Sequence, residues 1–404
     1  MQRAGGLAIA TYDRVVDPTV DADDLIDQGS SDLARDVYCV LGAPIDATDM
    51  AATLRMINQA STNPEPILIS TVNLNFLANS LADPEFRDTL LFSDFCTADG
   101  MPIVWLARLL GLPIRERIAG SDILDKLRAK TSSRKLKVFF FGGADGMAEA
   151  ARRVLDAENG GLTCVGTLNP GYGTIDDMSS NAVIAKINAS KADFLIVALG
   201  ASKGQAWLSR NHQRLRAPVR AHLGAAINFQ AGTVRRAPKL IRSAGLEWLW
   251  RIKEEPHLWA RYWCDGRTLV RLLWTRVFPL AYRVGVRRWR CPQGLSIDLI
   301  PDEDSVAFRL SGDAITKYIS HATDRFQHAL RLARPRVVLD LTGVRDIDQR
   351  FFGLILMLRK SLHRRGATLL IAGVSDHVRR LFRLNELEHL LANERSGATA
   401  RPAQ

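Results

Sequence analysis

Hydrophobic and polar positions along the chain fall into blocks of two periods. Ile67 to Val72, Val138 to Phe141 and Phe194 to Leu199 are short, mostly apolar runs that stop at turn residues. Strands covered on both faces of a parallel sheet show this pattern. Amphipathic stretches follow them, as at Met147 to Asp156 and Thr174 to Ala189, with apolar residues at helical spacing. Strand, helix, strand repetition over residues 37–234 predicts an α/β domain with a parallel sheet. Ligands of such a sheet sit beyond the carboxyl ends of its strands.

A second block of alternating elements begins near Leu295, after Cys291-Pro292-Gln293-Gly294, which reads as a hinge. Val306 to Leu310, Arg336 to Leu341 and Thr368 to Ala372 read as strands. Ala314 to Leu332 and Phe352 to Arg364 read as the helices between them. No internal repeat relates the two blocks. The division expected from these patterns is a loosely ordered leader (1–36), a first α/β domain (37–240), a linking segment (241–294), a small α/β domain (295–393) and a flexible tail (394–404).

The 404 residues are 47% hydrophobic and 24% charged, which is globular and excludes disordered and collagen-like chains. Five scattered cysteines with no CxxC pair argue against a disulfide framework or structural zinc and for a reducing cytoplasm. The first thirty residues carry Asp17, Asp21, Asp23, Asp24 and Asp27 rather than a charged start and an apolar run, so no signal peptide is expected. No window of 18 residues is apolar enough to span a bilayer.

Charge is unevenly spread. Residues 1–36 hold eight Asp against three Arg, whereas residues 235–290 hold fourteen Lys and Arg against four acids and carry six of the eight tryptophans. Arginine interleaved with Trp and Leu suits a helix lying on an anionic membrane, with Arg283, Arg287 and Arg288 among its cations. A basic helix with its Trp in the core is the competing reading. Basic plus aromatic residues also describe a single-strand nucleic-acid groove, but nothing resembles an RNP motif, a finger or a basic zipper, so no nucleic-acid partner is expected.

Candidate chemistry gathers at the strand ends. Thr71 and Asn73 put hydrogen-bonding side chains after an apolar run, either as ligand contacts or as helix caps. Asp99 precedes a helical stretch from Ile103 to Leu110, and is either its N-cap or a carboxylate placed to accept a proton. Gly142 and Gly143 follow a strand and open a helix, where backbone N–H groups cradle phosphates. Gly200 and Lys203 repeat that arrangement at another strand end. No metal cluster forms among the eight histidines, and the Asp-x-Asp pairs (Asp21/Asp23, Asp302/Asp304, Asp346/Asp348) lie outside the first domain. Neither a metal nor a cofactor is therefore expected.

Together these segments resemble the WecG/TagA/CpsF glycosyltransferases, family 26 of the carbohydrate-enzyme classification. The resemblance runs through TVN (71–73), ADGMPIVWLARLLG (98–111), ERIAGSDIL (116–124), FFGG (140–143), NPGYG (169–173), LGASKGQAW (199–207) and AGTVRRAP with GLEWLWRIKEEPHLWARYW (231–263). It implies a Rossmann-like domain at the cytoplasmic membrane face that transfers sugar, with inversion and without metal, from a UDP donor to a polyprenyl-diphosphate-linked acceptor. Asp99 would be the general base, with Thr71 and Asn73 in the same pocket. Arg117, Lys203, Gln205, Arg235 and Arg236 would be candidates for binding the substrate. The chain departs from the family at 200–205, where Gln205 stands one place late and a carboxylate is missing, and at Ile227-Asn228-Phe229, where an amide replaces a carboxylate.

Residues 296–393 resemble a STAS domain, through VVLDLTGVRDIDQRFFGLILML (337–358) and TLLIAGVSDHVRRLF (368–382). This implies a small α/β module that docks a protein partner or regulates. Switching members are phosphorylated on a Ser after the Asp that Asp348 matches. Gln349 and Arg350 stand there instead, so no such switch is expected.

Overall fold

The computed structural model describes residues 32–130, 134–230, 237–238, 241, 245–302 and 304–391. The chain opens with a hairpin of β1 (Val37–Val40) and β2 (Ala43–Asp46). Next come α1 (Met50–Ala60), β3 (Ile67–Val72), α2 (Leu74–Ala82), α3 (Pro84–Leu91), β4 (Phe95–Ala98), α4 (Met101–Leu109) and α5 (Gly120–Ala129). Then follow β5 (Leu136–Gly142), α6 (Met147–Ala157), β6 (Leu162–Leu168), α7 (Asn181–Ala189), β7 (Phe194–Ala198), α8 (Ala201–Asn211), β8 (Val219–His222) and α9 (Gly224–Gln230). A linking set of helices, α10 (Glu247–Glu254), α11 (Trp259–Leu272) and α12 (Phe278–Arg287), leads on. The remainder is β9 (Ser296–Pro301), β10 (Ser305–Ala314), α13 (Ile319–Arg331), β11 (Arg336–Ile347), α14 (Gln349–Arg364), β12 (Thr368–Ala372) and α15 (Asp376–Leu384).

Six strands form a parallel sheet in the order β4-β3-β8-β7-β5-β6. Phe139 and Phe141 point into one core and Val138 and Phe140 into another, which explains why β5 reads as an unbroken apolar run. A second sheet, β12-β11-β10-β9, is parallel except for β9 at its edge. The expected α/β class and both sheets are present.

Several element ends differ from the sequence reading. The strands at Val306 and Arg336 run on to Ala314 and Ile347, because pairing continues across two register shifts at Ser311 and Gly312. The helix expected from Ala314 begins at Ile319, since Ala314 still belongs to β10. Thr174 to Ala189 is not one helix: Ser180 caps a new one at Asn181, accepting the Val183 N–H. Asp348 caps α14 in the same way, three residues earlier than expected.

The two α/β units share a packed boundary. The core of the C-terminal unit includes Leu33, Val37, Cys39 and Leu91, so Asp32 and Leu33, read as leader, are buried. Residues 1–31 and the tail lie outside the described residues. Gly353 of α14 meets β1 so closely that an added Cβ would stand 2.0 Å from the Val37 carbonyl oxygen; only glycine fits. Arg350 donates to the Val37 and Arg35 carbonyls. Lys360, with no solvent exposure, donates from Nζ to Asp32 (2.9 Å), the Ser93 carbonyl (2.8 Å) and Asp94 (3.1 Å). Arg364, one turn on, pairs with the same two aspartates.

Candidate active site

The carboxyl end of β4 is fixed from two sides. The Asp99 N–H donates to the Val72 carbonyl, and the Ile118 N–H to the Ala98 carbonyl, both at 2.8 Å. Thr97 donates its hydroxyl to the Ile118 carbonyl at 3.0 Å, tying the loop before α5 to the strand. These bonds bring Asp99 beside Asn73 and place its carboxyl at the N-terminus of α5, where the Gly120 N–H donates to it.

Burial pushes the Asp99 carboxyl up to about 7. Arg117 draws it down, while Glu247 and Asp122 raise it further. A carboxyl in that range takes up and gives back a proton near neutral pH, which suits a general base. Gly100, not Asp99, is the N-cap residue of α4, so the capping reading of Asp99 does not hold. Asn73 does cap α2, accepting the Phe76 N–H at 3.0 Å. Thr71 is buried on β3, paired in register with Thr97.

Other expected substrate contacts are used differently. Arg117 gives one amino group to Glu247 and the other to Asp122, so part of its donor set is spent within the protein. Gln205 is fully buried on the inner face of α8 and donates from Nε2 to Ser70 Oγ at 2.5 Å, away from the strand ends. Gly142 has φ +90°, and an added Cβ would lie 2.6 Å from the Ala198 carbonyl oxygen. The Gly143 N–H is spent on that same carbonyl at 2.8 Å, so this turn closes on β7 rather than presenting its N–H. Gly200 caps α8, and Lys203 one turn in donates to the Gly173 carbonyl at 3.0 Å, clipping the 169–173 loop to that helix. Arg235 and Arg236 lie outside the described residues.

Arg283 and Arg287, read as membrane cations, face the C-terminal unit instead. Four residues apart on α12, they share one side, and Asp346 meets both, at 3.6 and 2.7 Å. Arg288, about 100° round the helix, is exposed.

Residues 38–281 match the family model "Glycosyl transferase WecG/TagA/CpsF family". The chain belongs to that family. A STAS domain model matches residues 301–392 of this WecG/TagA/CpsF protein. Among curated relatives, the N-acetylglucosaminyldiphosphoundecaprenol N-acetyl-beta-D-mannosaminyltransferase of Bacillus spizizenii is 31% identical over 194 residues, 48% of this chain and 73% of the relative. The enzyme of the same name from Staphylococcus aureus is 24% identical over 217 residues, 52% of this chain and 82% of its own. The structure of the Bacillus cell fate determinant SpoIIAA in its phosphorylated form aligns at 15% identity and a TM-score of 0.21, over 24% of this chain and 88% of that one.

Two residues around Asp99, and a histidine at a neighbouring strand end, escaped the sequence reading. Asp122 sits inside the ERIAGSDIL motif, but nothing in its spacing says that it shares Arg117 with Glu247, 125 positions later. His222 ends β8; burial pushes it down to about 4, so the ring is neutral, and its Nε2 has no hydrogen-bond partner among the described residues. No sequence signal marked it.

Proposed function

We propose that this protein transfers a sugar, with inversion and without a metal, from a UDP donor to a polyprenyl-diphosphate-linked saccharide, with Asp99 as the general base. In the transfer, the acceptor hydroxyl oxygen bonds to the sugar C1 as the bond from C1 to the phosphate oxygen breaks. The hydroxyl proton passes to Asp99, and UDP leaves as the anion. The observation that carries this reading is the Asp99 carboxyl itself, held at a strand end with a proton affinity matched to neutral pH. The names of the two relatives support the acceptor class, since both act on a diphosphoundecaprenol-linked sugar.

A lipid-linked acceptor calls for a membrane-facing surface. Among the described residues no helix is long and apolar enough to cross a membrane. An outer stripe of Trp259, Trp263, Arg267, Arg271, Trp274, Phe278 and Tyr282, spaced three or four residues apart along α11, the π-helical turn Leu273–Val277 and α12, is exposed to solvent. Aromatic rings with arginine between them suit the headgroup boundary. Charge reversal at Arg267 and Arg271 is expected to abolish flotation with anionic liposomes, whereas reversal at Arg287 leaves it intact.

The deciding experiment is UDP release in EDTA across a panel of UDP-sugars, with a short-chain polyprenyl-diphosphate sugar as acceptor. Release that needs the acceptor and falls ~100-fold or more in Asp99→Asn is the expected result. UDP binding without release from any donor would leave a nucleotide-sugar-binding scaffold.

A further inference from the structure

The ion pairs around Asp99 join parts of the chain that are far apart in sequence. Arg117 lies in the loop before α5, Asp122 in the first turn of α5, and Glu247 is the first residue of α10. The guanidinium gives NH1 to Glu247 and NH2 to Asp122, and all three side chains are at most one-fifth exposed. Arg117 makes no hydrogen bond to Asp99 among the described residues. Asp99 instead accepts a backbone N–H from Gly120. Its charged neighbours are therefore Arg117, Asp122 and Glu247, one cation shared between two competing carboxylates.

We propose that Glu247 is a positioning residue for the base: it holds Arg117 turned toward α10 and away from Asp99, leaving the Asp99 carboxyl free to take the acceptor's proton. This rests on the reading of Asp99 as general base. If Glu247 is removed, one amino group of Arg117 is released, Asp122 holds the other, and Asp99 is the nearby carboxylate not already paired with it. A guanidinium within a few ångströms lowers a carboxylate by one to three pH units and makes it a poorer base. Glu247 also begins the segment that bears the exposed Trp248 and Leu249. Displacing α10 from the sheet domain therefore acts on Asp99 with the same sign as deleting Glu247.

The test follows Asp99 itself, by carboxyl-carbon NMR titration of the full chain, with the signal assigned by its loss in Asp99→Asn. The wild-type midpoint is expected near 7, and Glu247→Gln is expected to weaken proton binding about tenfold, one pH unit. Glu247→Asp keeps the charge but shortens the reach, and its midpoint is expected to fall as well. The acidic limb of kcat/KM should move with these midpoints, which a merely structural role would not cause. An unmoved midpoint in folded Glu247→Gln, or a fall in Gln but not in Asp, would overturn the positioning role. If Glu247→Gln does not fold, Asp122→Asn frees the other amino group and carries the same expectation. The titration needs no substrate, so it separates the two ideas. Asp99 moving with Glu247 in a protein that transfers no sugar keeps the coupling and sinks the transferase reading. Sugar transfer with an unmoved Asp99 does the reverse.

Discussion

Asp94 and Asp99 flank the four residues of β4, both half-buried, and they are driven in opposite directions. At Asp94 burial pushes the carboxyl up, but Lys360 and Arg364 outweigh it and hold the group far below the usual carboxylate range. At Asp99 burial meets a single cation already shared with Asp122 and Glu247, and the carboxyl rises to about 7. The same side chain is a rivet where cations outnumber its rivals and holds its proton more tightly where carboxylates do. The STAS unit makes this difference, because both cations on Asp94 come from α14.

The largest effect expected from breaking the comparison is at the riveted end. Lys360→Ala removes the one fully buried cation that Asp32 and Asp94 share, leaving them Arg364, and should cost about 3 kcal/mol in urea unfolding of the full chain. At the other end, Asp99→Asn removes ~100-fold or more of the rate, yet should not lower the unfolding midpoint, since the native fold disfavours the charged form it removes.

A pH series separates the two ends without mutation. Asp99 has a raised value, so kcat/KM should fall about tenfold per unit below pH 7 as the base takes up its proton. Asp94 has a depressed value, so its contribution to stability is complete above pH ~4 and drains away only below that. Between pH 7 and 5 the activity should therefore disappear while the folded structure persists. The smallest effect is expected at Arg287, whose pair with Asp346 is about one-fifth exposed. Arg287→Gln should cost about 1 kcal/mol or less, with a weaker effect at high salt.

Much of the fold was legible because its signals are local. Ile67–Val72 and Thr368–Ala372 are observed strands with the bounds that their apolar runs gave. Asp99 was legible as a candidate because it ends a strand in the ADGMP motif. Its cap-or-base ambiguity required coordinates, because only the backbone shows that Gly100 occupies the cap. Gln205 and Arg287 were misplaced for a different reason. Each has a chemistry that suits a ligand or a membrane, and only the face of α8 or α12 on which it falls decides what it meets.

By itself the sequence determined the class of both units, the family, and the acid at the end of β4, since period, turn residues and motif spacing are written within a few tens of residues. Tertiary structure alone decided which carboxylates share Arg117, that α14 closes on β1 over Gly353, and that Lys360 is buried between Asp32 and Asp94. These pairings join residues that are in some cases more than three hundred positions apart, and a group's charge state depends on which partners reach it in space rather than on its neighbours along the chain.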